Sequence, residues 1–259
     1  MRVYLELFRI REARRLWLAM LPVRLGYSMS SIAIVFLVHD RTGSWSTAGL
    51  ATGAFILGAG ATAPLRGGLV DRYGQTRPLL AYVPAFCAAF VVLPHLHTTA
   101  GMIVVAGLCG VLSPPLIASS RPLWRIIVGD ELVRTGYAAD AVQMQTTLVV
   151  GPALAAVLAA RVSPTLPPYV IAATVLLGGL MFLSLESSRA WRSEPRLAHM
   201  QSALRAPGIR TMLVLAACFG AAFGALQVAL PAKAAESGSA TEGGLLFAVL
   251  AAGLSLIHI

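Results

Sequence analysis

Apolar residues run along this chain in long stretches, and polar residues gather in short clusters between them. A helix needs roughly 20 apolar residues to cross the ~30 Å hydrocarbon core of a bilayer. On that rule the pattern predicts spans over Leu16–Val38, Ser46–Leu65, Pro78–Pro94, Gly101–Ser120, Ala139–Ala160, Pro167–Leu185 and Thr211–Pro231, with a further apolar run from Gly243 onward. Periodicity inside such runs does not separate strand from helix. Their length does, together with the need to satisfy every backbone group within lipid, and both favour helices. Composition agrees: 57% of residues are hydrophobic, 12% are charged and the mean hydropathy is +0.76, far from the averages of soluble domains.

The basic residues fall in alternate gaps between the runs. Arg2, Arg9, Arg11, Arg14 and Arg15 precede the first span. Arg66, Arg72 and Arg77 sit in the second loop, Arg121, Arg125 and Arg134 in the fourth, and Arg189, Arg192, Arg196, Arg205 and Arg210 in the sixth. The opposite loops hold only Arg41, Arg161 and Lys233. Lys and Arg in short loops stay on the cytoplasmic side, so the N terminus is expected in the cytoplasm. The net charge of +9 thus describes topology. It forms no stripe interleaved with aromatics, so membrane lipid is an expected partner and nucleic acid is not. The opening segment, "MRVYLELFRIREARR", is basic and amphipathic, and no small-residue cleavage site follows the first run; it reads as a cytoplasmic lead-in helix. Basic residues that are almost all Arg, with abundant Ala, Gly, Leu and Val, suggest a GC-rich bacterial genome and hence a bacterial plasma membrane.

Little in the chain suggests bond-making chemistry. Cys87, Cys109 and Cys218 lie in different apolar runs without CxxC spacing and read as buried reduced thiols. His95 and His97 share a short loop with no third ligand nearby, so no metal is expected. No HExxH, G-x-S-x-G, Walker or Rossmann pattern occurs in a suitable context. Neither an enzyme nor a bound cofactor is expected.

Polar residues inside the spans carry more information. Arg24 lies ~12 Å inside the first span at 1.5 Å per residue, where a charge costs several kcal/mol unless it reaches water or a partner. With Tyr27, Ser28 and Ser31 it forms a stripe expected to face a central water-filled cavity. Asp140, Gln143 and Thr147 form a comparable stripe on the fifth span, and Gln227 is the polar residue of the seventh. Asp140 is a possible partner for Arg24 and the one plausible proton-titrating group of this half; otherwise it is a wetted residue at a helix N-terminus. Gly49, Gly53, Gly58 and Gly60 should let the second span pack closely. Pro114-Pro115 should kink the fourth, with Ser113 satisfying the freed carbonyls.

Between the second and third spans stands "GGLVDRYGQTR", residues 67–77. Gly67, Asp71, Arg72 and Gly74, followed by Arg77, resemble the loop signature G-x-x-x-D-R-x-G-R-R of the major facilitator superfamily. Gln75 and Thr76 stand where that pattern has basic residues. In such a turn the glycines are expected to take positive φ while Asp and Arg pair with each other or with a helix terminus. On the fifth span, Gly151-Pro152 resembles the core of that superfamily's antiporter-type motif, with Thr147, Ala155 and Ala156 replacing its flanking glycines. A Gly-Pro pair also predicts a kink near the membrane centre.

The resemblance implies an all-α membrane protein, a helical bundle whose N-terminal six-helix half is an inverted repeat of three plus three spans with the third and sixth outermost. It implies a gate at Asp71 and its neighbours. It also implies secondary transport by alternating access, with a small-molecule substrate bound near the midplane. The first reading is proton-coupled efflux of a small amphiphilic compound, suggested by Gly151-Pro152 and the apolar cavity. A nutrient-uptake symporter of the same superfamily and a non-transporting fragment are the alternatives.

Four parts follow from this organisation: a cytoplasmic segment at 1–15, the six-helix half at 16–185, an inter-half loop at 186–210, and from 211 the start of a second half with helix 7 and part of helix 8. The rest of that half, a partner on this reading, is expected beyond the given residues. Leu254–Ile259 match the translation of a sequencing-library adapter and are expected not to be biological.

Overall fold

A computed structural model describes residues 2–192, 207–236 and 249. Among them every regular element is helical: α1 (Arg2–Arg9), α2 (Arg11–Thr42), α3 (Trp45–Tyr73), α4 (Thr76–Val92) with a 3-10 turn at Leu93–His95, α5 (Thr99–Val111), α6 (Leu116–Arg161), α7 (Leu166–Leu183), α8 (Glu186–Ala190) and α9 (Pro207–Glu236). The expected runs up to Pro231 fall on these helices to within a few residues, except that Gly101–Ser120 is divided between α5 and α6. Most of the sixth loop lies outside the described residues, as do Leu254–Ile259 and, Val249 apart, the run from Gly243.

Among the described residues, five stretches are long and apolar enough to cross a membrane: Arg11–Thr42, Trp45–Tyr73, Thr76–His95, Thr99–Arg161 and Leu166–Leu183. The fourth is 63 residues long and contains two crossings. Gly129 breaks α6 with φ 68° and ψ −177°, a conformation open to glycine alone. The Trp124 indole nitrogen then donates to Asp140 Oδ1 at 3.1 Å, although the two residues are 16 apart in sequence. In a straight helix they would be ~24 Å apart, so the chain reverses at Gly129. The first limb of α6 completes the fourth crossing begun by α5, and the second limb is the fifth.

Several expectations need correction. The fourth loop is not a loop: Arg121, Arg125 and Arg134 are helical residues on either side of Gly129. Arg66 does not belong to the second loop; it is helical and buried in α3. Gly67, Asp71 and Arg72 likewise sit on the last turns of α3, and in this turn only Gly74 takes positive φ, at 78°. Helix propagation past Leu65 is favourable because each added residue closes another hydrogen bond, and a single glycine then suffices to reverse the chain. Gly151 and Pro152 keep helical backbone within the second limb of α6, whose non-helical position is Gly129. The fourth span, by contrast, is interrupted outright at residues 112–115, beyond the kink expected of Pro114-Pro115.

α2 is the central helix. From Ile32 to Val38 every side chain is buried, which requires neighbours on all sides. Glycines allow the closest approaches. A Cβ at Gly151 would collide with Ser28, and one at Gly178 would stand 2.6 Å from the Ala19 carbonyl oxygen. α3 and α5 approach each other in the same way. Gly58 of α3 meets the Gly107 backbone of α5, and Gly110 of α5 meets the Phe55 carbonyl. Gly53 and Gly60 have nothing within 4 Å, so they do not serve the packing expected of them. Gly49 faces Val228 of α9. α4 and α7 expose Leu80, Val91, Leu176, Leu177 and Leu180, the apolar rows of helices that face lipid.

Candidate functional site

Among the described residues the buried charged side chains are Arg24, Arg66 and Asp140. Arg24 and Asp140 meet where α2 crosses the second limb of α6. Arg24 Nη2 donates to Asp140 Oδ1 at 2.7 Å and Nη1 to the Asp140 carbonyl at 2.5 Å. The residues are 3% and 7% exposed, so the pair is held in a medium where separation of its charges is costly. Trp124 adds the indole donor from the first limb of α6. Gln143, one turn along from Asp140, donates through Nε2 to the Trp17 carbonyl at 2.7 Å, while Trp17 Nε1 donates to the Ala139 carbonyl at 3.3 Å. Arg24 Nε and Gln143 Oε1 stay buried without a hydrogen-bond partner. On its other side Asp140 borders a 450 Å³ cavity with Arg121, Tyr137, Ala141 and Met144. The wetted helix-terminus reading of Asp140 is therefore excluded by its burial.

The expected stripe on α2 divides between two neighbours instead of facing one cavity. Ser28 packs against Gly151 of α6, and its hydroxyl donates back to the Leu25 carbonyl at 2.9 Å. Ser31 is half-buried. Tyr27 points elsewhere, donating to the Pro114 carbonyl at 2.6 Å and meeting Phe86 edge-on at 5.6 Å. On α6, Thr147 donates within its own helix to the Gln143 and Met144 carbonyls at 3.0 Å. Gln227 sits half-buried on α9 with Oε1 unpartnered.

Tyr27 leads to a second polar centre that sequence reasoning missed. The interruption at 112–115 leaves carbonyls without helical donors. Arg66 donates to the Ser113 and Ala59 carbonyls, and Tyr27 covers Pro114. Ser113 was expected to satisfy these groups; the donors come from α2 and α3 instead. The detectable signal was spacing: Thr62 and Arg66 are one turn apart on α3, and Thr62 also reaches towards the break, 3.4 Å from the Val111 carbonyl.

At the α3–α4 turn, Asp71, Arg72 and Arg77 are exposed, and Asp71 pairs with neither arginine. Arg72 lies over the Tyr73 ring, 5.3 Å from its centroid. Gly67 and Asp71 border a 330 Å³ cleft that also reaches Gln75, Ser119 and Trp191. Gln75 is the fully buried residue of the turn. Its Nε2 donates to the Ser119 carbonyl and its Oε1 accepts from the Ser188 hydroxyl, both at 3.0 Å. The departure from the signature at this position is thus a buried bracket between α6 and α8. His95 pairs with the Tyr169 hydroxyl at 3.0 Å, and no cluster of metal-ligating residues occurs among the described residues.

A family model described as Major Facilitator Superfamily matches residues 16–259 of the chain. No curated protein and no solved structure matches it.

Proposed function

The chain belongs to the Major Facilitator Superfamily, a superfamily of multi-pass membrane transporters, and on that premise we propose that it exports a small amphiphilic compound in exchange for protons. The observation that carries this reading is the Arg24–Asp140 pair, buried between the central helix and α6 and bordered by a cavity. Asp140 is the buried carboxylate of the described bundle. When it is ionised, it holds Arg24 and closes α2 on α6. A proton on Asp140 cancels the charge that Arg24 is paired with, so the guanidinium must find another acceptor, and the two helices part. Proton uptake and helix separation are then one event. Gln143 and Thr147 extend the polar wall on α6, and Tyr27, Ser31 and Gln227 would supply the other polar contacts of the substrate path. The α3–α4 turn, with Gly67, Asp71, Arg72, Gly74 and Arg77, is the gate on the cytoplasmic side. Gly151 and Pro152 give α6 a smooth face against Ser28 along which the helices move. The six crossings from α2 to α7 rock as a unit against the half that begins with α9.

The test is dye export from cells expressing the protein, with ethidium as probe and the membrane proton gradient present or collapsed. Gradient-dependent export that is abolished in Asp140→Asn supports the reading. Export that persists in Asp140→Asn, or that ignores the gradient, overturns it.

A further inference from the structure

Four arginines converge where α3 and α8 end and α4 begins. Arg72, Arg77, Arg189 and Arg192, with Tyr73 and Thr76, line a 460 Å³ depression, and among the described residues no carboxylate borders it. Asp71, the acidic residue closest in sequence, borders the neighbouring cleft. Like charges brought this close repel one another, so their arrangement must be imposed by the surrounding structure. The buried side chain of Gln75 holds Ser188, and the Glu12 carboxylate accepts from the Ser187 amide at 2.8 Å. Those two bonds fix α8 and with it Arg189. Arg192 folds over the turn at Gly74, where a Cβ would stand 3.0 Å from its Nη1. It donates back to the Trp191 and Arg189 carbonyls at 2.8 and 3.1 Å.

A second feature points the same way. α4 begins at this depression without a side-chain cap, because the Gln75 amide is engaged with Ser119 and Ser188. The amides of a free helix N-terminus favour an anion. The depression also lies where the membrane-crossing helices α3 and α4 meet, and the ends of such helices reach the depth of lipid headgroups.

We infer that this depression binds the phosphate of an anionic phospholipid headgroup, held by Arg72, Arg77, Arg189 and Arg192 and by the start of α4. Such a lipid would tie the α3–α4 turn to α8.

Native mass spectrometry of the protein released from phosphatidylcholine nanodiscs containing some phosphatidylglycerol tests this. Phosphatidylglycerol should be retained in preference to phosphatidylcholine. Each neutralised arginine, Arg77→Gln and Arg192→Gln, should lower its retention about fivefold, as expected for one basic group at a membrane surface. The pair Arg77→Lys and Arg192→Lys should keep most of it, and Arg161→Gln, at the far end of α6, all of it. These arginines are exposed, so the substitutions leave the packed core intact. Protection of Arg192 from phenylglyoxal by phosphatidylglycerol, but not by inorganic phosphate in pure phosphatidylcholine nanodiscs, completes the case for a lipid. Unchanged retention in the glutamine variants, equal retention of the two lipids, or equal protection by inorganic phosphate overturns it.

Discussion

Arg24 and Arg66 are both buried guanidinium groups in membrane-spanning helices, yet their surroundings answer the charge in different ways. Arg24 faces a carboxylate, so opposite charges meet within its site. Arg66 faces the Ser113 carbonyl, exposed by the interruption at 112–115, and the Ala59 carbonyl of its own helix, so its positive charge is answered by dipoles. The first arrangement is the one on which the proposed proton exchange rests. The second sets a guanidinium against uncharged carbonyls and serves to hold α3 against a discontinuous helix. The difference teaches that an intramembrane arginine becomes a candidate switch only when its partner can change charge.

The largest effect should come from removing one member of the Arg24–Asp140 pair. Asp140→Leu strands Arg24 in the bundle and should lower stability by about 3–5 kcal/mol. Adding Arg24→Met should recover most of that loss, because an apolar pair of similar volume replaces a buried ion pair at little net cost. Thermal unfolding of the detergent-purified variants measures both, and additive losses would show that the two residues do not act as a pair. At the other arginine, Arg66→Met should cost about 1–3 kcal/mol by leaving carbonyls unsatisfied, and no acidic-residue substitution should rescue it. A rescue by Asp140→Leu would mean that the two centres share one charge balance.

Trp124→Phe tests the outer donor of the pair. It keeps the ring and removes one hydrogen bond to Asp140, for an expected loss of about 1.5–3 kcal/mol as a bond to a charged group. It should leave Arg66→Met unaffected when the two are combined. The smallest contrast belongs to the glycines of α3. Gly58→Ala meets the Gly107 backbone and should cost about 1–3 kcal/mol, whereas Gly53→Ala enters open space and should stay within about 0.5 kcal/mol of wild type. Equal effects would mean that α3 turns a different face to α5.

How far each centre was legible in the sequence follows from the kind of interaction that builds it. The positions of the crossings were readable from apolar run length, because the bilayer sets one thickness for every span. Arg24 and Asp140 stood out as singular charges in such runs, and the α3–α4 turn as a dense local motif. Where the helices end was less clear, since helix propensity carries on through Arg66 and Asp71 and only Gly74 and Gly129 stop it.

The sequence by itself therefore determined the all-helical membrane class, the family signature and which polar residues were costly enough to need an explanation. Only the tertiary structure decided what satisfies them. Trp124 reaches Asp140 because the chain reverses at Gly129, Arg66 turns inward because a neighbouring helix is broken, and Gln75 is buried because α8 folds onto the turn. Each of these depends on groups distant in sequence meeting in a medium without water to replace them, and local pattern does not encode such meetings.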